Sequence, residues 1–155
     1  VNSNTNSRRR AAARLVVTGT WALLAASCGH PSGGAAPQGD PGAVVEQFLA
    51  ASKANDLQRM GRLWGTDRGP AAGRMRREEL QKRLSVIHTY LEHESYVLEP
   101  GSSPADTDNE RVVRVRITRK GCTPVVPFTV VRWKDGWLVK AIDLEAAGNP
   151  ALPCS

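Results

Sequence analysis

Three cysteines, three histidines and two tyrosines are the scarce side chains here that could do chemistry. Cys122 and Cys154 stand 32 positions apart. In an oxidising compartment such a pair closes, and a loop of that length stabilises by roughly 3–4 kcal/mol in the chain-entropy model. The bond would pin the tail from Gly148 to Cys154 back onto the fold; two unpaired thiols are the other reading. His88 and Glu92 share a helix face but His93 does not, and no HExxH spacing occurs, so no metal site is expected. His30 lies in a segment of glycine, proline and small residues, far from the other two histidines. Tyr90 could donate to an oxyanion and His88 could act as a base. The plainer reading makes Tyr90 a half-buried aromatic and His88 a surface residue. No phosphate-cradling loop, dinucleotide fingerprint or nucleophile elbow is present, so no cofactor is expected.

The ends of the chain speak of delivery. The formal charge is +6, yet Arg8, Arg9, Arg10 and Arg14 precede Cys28 with no acid among them. From Cys28 onward seventeen bases meet fifteen acids, which disfavours a nucleic-acid partner. Leu15 to Ala26 is an apolar run of 12 residues, too short for a membrane span of about 20. A polar start, a basic stretch, a short apolar run and small residues make a secretory signal over residues 1–27. Leu24-Ala25-Ala26-Ser27-Cys28 resembles the lipobox of bacterial lipoproteins. The resemblance implies that Cys28 is lipidated, with more than one acyl chain, and becomes the new N-terminus. Ala25 replaces the usual larger aliphatic residue, which leaves ordinary cleavage without lipid open. The arginine run also permits a twin-arginine export route. Residues 28–40 then form a lipidated cysteine and a flexible tether, rich in Gly and Pro. An exported, membrane-anchored protein facing the periplasm or the cell exterior is expected.

Residues 41–155 must hold whatever site exists. Asp40-Pro41 starts a helix, and Val44, Val45, Phe48 and Leu49 form its apolar face. Asn55-Asp56 separates a second helix with Leu57, Met60, Leu63 and Trp64. Residues 65–73 read as a loop, and residues 74–91 as the longest helix, with Leu80, Leu84, Ile87 and Leu91 buried. Glu78 with Lys82 and Glu79 with Arg83 are favourable pairs on its wet side. Strands follow at residues 95–99, 111–120, 125–134 and 137–144, where apolar residues alternate. Lys134-Asp135-Gly136-Trp137 predicts a hairpin with positive φ at Asp135-Gly136. A two-residue turn sets Trp137 on the face of Arg132, opposite Trp133. The predicted architecture is α+β, three helices packed on a curved antiparallel sheet of about four strands.

The helix Val44-Val45-Glu46-Gln47-Phe48-Leu49-Ala50, the linkage Asn55-Asp56-Leu57-Gln58-Arg59-Met60 and the hairpin Lys134-Asp135-Gly136-Trp137-Leu138-Val139 resemble the nuclear transport factor 2 superfamily. The resemblance covers residues 41–144 and implies a cone-shaped, cystatin-like fold. It implies a pocket between helices and sheet, lined here by Phe48, Trp64, Leu84, Tyr90 and Trp137. Enzymatic members place an acid or base there, but no carboxylate of this chain matches one, so Tyr90 and His88 are the catalytic candidates. The expected function is non-enzymatic, a lipid-anchored domain for protein interaction or small-ligand binding at the bacterial envelope. The alternative is a small-molecule isomerase, cyclase or dehydratase. The expected partners are the membrane, an envelope protein or a second copy docked through Phe128, Val130 or Trp133. Arg74, Arg76, Arg77, Lys82 and Arg83, with Arg114 and Arg116, form either a cationic surface for anionic headgroups or an acidic partner, or else ordinary solvated faces interleaved with Glu78 and Glu79; the last is the preferred reading.

Overall fold

Helix formation begins where the sequence supplies a cap. In the computed structural model, which describes residues 39–152, the Asp40 carboxylate accepts a hydrogen bond from the Gly42 amide at 2.8 Å. That cap starts helix α1, Pro41–Lys53, and satisfies a donor the helix itself leaves open. The leader, Cys28, Cys154 and the tether through residue 38 lie outside the described residues.

Asn55 adopts φ 52°, the left-handed conformation asparagine tolerates. The chain turns there, and Asp56 accepts from the Arg59 amide at 2.9 Å to cap α2, Leu57–Leu63. Gly61 sits where α2 meets the third helix: a Cβ there would stand 3.0 Å from Leu80 Cδ2. Trp64 does not end α2 as a helical residue. Its backbone is extended and bridges in parallel to Val139. Residues 65–73 are not a plain loop either. They form strands β1, Gly65–Thr66, and β2, Gly69–Pro70, then a single 3-10 turn over Ala71–Gly73. Two-residue strands carry no readable period.

Helix α3 spans Arg77–Tyr90, three residues later than the pattern suggests, because Arg76 is extended. It buries Leu80, Leu84 and Ile87. Of the two expected i,i+4 pairs only Glu79 with Arg83 forms an ion pair among the described residues, at 2.8 Å.

Strands β3, Ser95–Glu99, β4, Glu110–Thr118, β5, Val125–Trp133, and β6, Gly136–Ile142, make an antiparallel sheet in sequence order. Val113 pairs with Phe128 and Val115 with Val126. This register gathers Val115, Ile117, Val126, Phe128 and Val130 on one face with Trp137 and Val139, in a single core with the helices. The other face carries Val97, Arg114, Arg116, Pro127 and Trp133, with Glu99 ion-paired to Arg116 and Arg114. A bulge lets Val130 face Val139 while Thr129 faces Ala141, so Lys140 is the extra residue. Its ammonium reaches the Glu110 carboxylate at 2.5 Å. The result is an α+β layer structure of three helices and a four-stranded sheet.

The closing hairpin turns one residue earlier than predicted. Trp133 pairs with Gly136, and the positive φ of 52° falls on Lys134 rather than on Asp135 or Gly136. Gly136 is the first rung of β6. Arg132 and Trp137 pair across the strands and share a face, with the guanidinium carbon 4.7 Å from the indole centroid.

One carboxylate organises the loop before β4. Asp106 accepts from the Ser103 amide at 2.9 Å and the Val112 amide at 2.8 Å. These two donors, first Ser103 and then Val112, hold its carboxyl below the usual value. A depressed carboxyl stabilises the fold above its unfolded pKa of about 3.9 and loses that contribution as pH falls through the folded value. The protection of the Ser103 and Val112 amides, taken as exchange relative to the intrinsic rate at each pH, should therefore fall in acid in the native protein. In Asp106→Asn both amides should be less protected at pH 7, with little further change on acidification. Protection in the native protein that is indifferent to acid would disprove this role.

Candidate functional site

The residues expected to line a pocket lie in or against the core. Phe48 and Leu84 are fully buried, Trp137 is 2% exposed, and all three belong to one apolar cluster. Trp64 and Tyr90 are partly buried and pack against it. Phe48, Leu84 and Trp137 thus pack into the core between helices and sheet, and Trp64 and Tyr90 keep part of their surface open.

Tyr90 and His88 do not converge. Two residues apart on a helix, they point about 200° from each other. His88 is half-buried, with Nδ1 3.5 Å from Ser52 Oγ. Tyr90 packs on the core, and its backbone carbonyl accepts from Arg119 Nη1 at 2.6 Å.

Two buried side-chain polar atoms among the described residues have no hydrogen-bond partner, His93 Nε2 and Trp137 Nε1. A buried donor or acceptor left open costs roughly 1–3 kcal/mol, so each invites a functional reading. His93 Nδ1 lies 2.7 Å from the Leu91 carbonyl, and its ring meets Tyr96 edge-on at 5.5 Å. Burial first, and then the Glu46 carboxylate, push the Tyr96 phenol up. The two open atoms do not share a site. The Glu94 amide, next to His93, bonds the Thr118 carbonyl at the end of β4. Trp137 pairs with Arg132, whose amide bonds the Asn109 carbonyl just before β4 begins. The nine residues of β4 separate these ends, about 30 Å at strand rise.

The outer sheet face differs from expectation. Phe128 and Val130 are fully buried on the helix side and cannot serve as exposed contacts. Phe128 pairs with Val113 and Val130 sits two residues on, so both fall on the core face. Trp133 is half-buried on the outer face, with the Lys134 ammonium 4.6 Å from its ring centroid.

Sequence reading missed Arg119. Besides Tyr90, its guanidinium donates to the carbonyls of Ala147 and, at 3.2 Å, Gly148. A side chain at the end of β4 thereby ties α3 to the C-terminal tail. Arginine's planar fork with its several donors is suited to this task, but nothing in the local spacing marks it. Cys122 borders a surface hollow with Arg119, Ala147 and Leu152, so the β4–β5 turn faces the tail.

Among the described residues, no group of three His, Cys, Asp or Glu could hold a metal ion. No helix among them is long and apolar enough to cross a membrane.

No family model matches the chain, and no curated protein matches it. Among solved structures it is similar to a phospholipid-binding protein from Ralstonia solanacearum in complex with a phospholipid, with 18% sequence identity and a TM-score of 0.41, covering 72% of this chain and 79% of that chain. A likeness of that degree carries no argument about what this chain binds.

Proposed function

We propose that this chain is an exported, lipid-anchored, non-enzymatic domain that binds a protein partner or small ligand through its outer surface at the bacterial envelope. The observation that carries the reading is the burial of Phe48, Leu84 and Trp137 in one apolar cluster, which supports an interior closed to a substrate. Cys28 would carry the lipid and residues 29–40 would hold the domain off the bilayer. The order of three helices, a short hairpin after the second and a four-stranded meander supports a nuclear transport factor 2-like scaffold. A Cys122–Cys154 bond would fasten the tail. Its support is that Cys122 borders the same surface hollow as Gly148 and Leu152, at the foot of the tail that leads to Cys154.

A small-molecule isomerase, cyclase or dehydratase is the second reading, favoured by the open Nε2 of His93 and Nε1 of Trp137. Their separation along β4 weakens it, because one small substrate cannot meet both.

Fractionation tests the anchor. In cells that process lipoproteins the native chain should sediment with membranes and enter the detergent phase, with the mass gain of acylation. Cys28→Ser should lose that mass gain and leave the detergent phase. A Cys28→Ser chain that keeps both properties would overturn the lipoprotein reading.

A further inference from the structure

The charges of the domain are segregated. Residues 57–83 hold eight bases, Arg59, Arg62, Arg68, Arg74, Arg76, Arg77, Lys82 and Arg83, against three acids. The remaining residues from 39 to 152 hold nine bases against twelve acids. A surplus of five therefore faces a deficit of three within one fold.

All eight bases are exposed. They stand on α2, the β1–β2 turn, the 3-10 segment and α3, which touch one another. Gly61 of α2 abuts Leu80 of α3 and Ala72. The Ala71 amide bonds the Trp64 carbonyl at 2.7 Å, and Arg74 Nη1 reaches the Arg68 carbonyl at 3.2 Å. Arg83 alone among the eight forms an ion pair within the described residues, with Glu79. Glu78 and Glu79 sit in the first turn of α3, where they complement the helix dipole. Arg114 and Arg116 are engaged with Glu99 on the outer sheet face and do not join this surface.

We infer that this α2–α3 face docks the domain on an anionic lipid surface. The bases are spread over α2, the β1–β2 turn, the segment after the 3-10 turn and α3 rather than gathered on one element, which suits a sheet of headgroups. Val86, 53% exposed, lies one turn beyond Lys82 on α3 and offers an apolar contact at the headgroup level. Stretch 57–83 has one aromatic residue, Trp64, which packs on the core, so no exposed ring is available to stack nucleic-acid bases. Each basic side chain near an anionic membrane adds attraction, lessened by salt. The inference deepens the envelope reading and rests on it for access to a bilayer.

The test uses residues 29–155, the chain that the proposed processing would leave without Cys28, so that neither the basic, apolar leader nor an acyl chain contributes. Flotation with vesicles of phosphatidylglycerol and phosphatidylcholine is compared with pure phosphatidylcholine at low salt. Adding Arg62→Gln, Arg76→Gln and Arg77→Gln should weaken partitioning onto the anionic vesicles at least tenfold. Adding Arg114→Gln, Arg116→Gln and Lys134→Gln instead should change it less than twofold. Unchanged circular dichroism and thermal midpoints confirm that each chain is folded. Equal losses in the two triple variants, equal binding to neutral vesicles, or capture by an acidic polypeptide but not by vesicles would each overturn the inference. None of these outcomes bears on acylation, which the cell fractionation reads separately.

Discussion

Phe48→Ala is expected to cost about 3–5 kcal/mol of folding stability. Single domains are stable by only about 5–15 kcal/mol, so the loss is large. The reason is placement: Phe48 is fully buried on the face of α1 that meets the sheet, in the same cluster as Leu84 and Trp137. Removing the ring discards its transfer free energy and leaves a cavity that neighbours fill only in part. Urea unfolding should show a lower midpoint with an unchanged slope. A loss below about 1 kcal/mol would mean the ring already borders open space, as in the pocket reading.

Loss of the proposed Cys122–Cys154 bond is the second large effect. Cys122→Ser and Cys154→Ser should each lower stability by roughly 3–4 kcal/mol, and the double variant should be no worse than either single one. Reductant should lower the thermal midpoint of the native protein toward that of the variants. The Arg119 hydrogen bonds to Ala147 and Gly148 remain in all of them, so the tail should loosen rather than detach. Alkylation of both cysteines in the unfolded, unreduced protein would contradict the bond.

Long periodic elements were legible and short ones were not. The stripe of Val44, Val45, Phe48 and Leu49 and the alternation of Val113, Val115 and Ile117 state their faces directly, because burial repeats at the period of the backbone. The β1–β2 hairpin escaped since two residues show no period, and Trp64 looked helical because Met60 lies four residues before it. The face that Trp137 shares with Arg132 was readable, yet the register and the dihedral were not, since the Asp-Gly pair sits one step past the turn centre. Phe128 and Val130 were misjudged because β5 has apolar residues on both faces, and sequence alone does not say which face meets the helices. The basic surface was legible only as a list of arginines. Its separation from Arg114 and Arg116 needed the Glu99 pairing across β3 and β4. Arg119 was invisible, because its three carbonyl acceptors come from segments far apart in the chain.

Xenon pressurisation of a crystal of the oxidised protein tests the occupied interior most directly. Xenon enters dry apolar cavities and not packed cores. The native protein should show no xenon among Phe48, Leu84 and Trp137, while Phe48→Ala should admit it there. Xenon in the native interior, in a cavity reached by Tyr90 or His88, would contradict the outer-surface reading and make a substrate the first thing to seek.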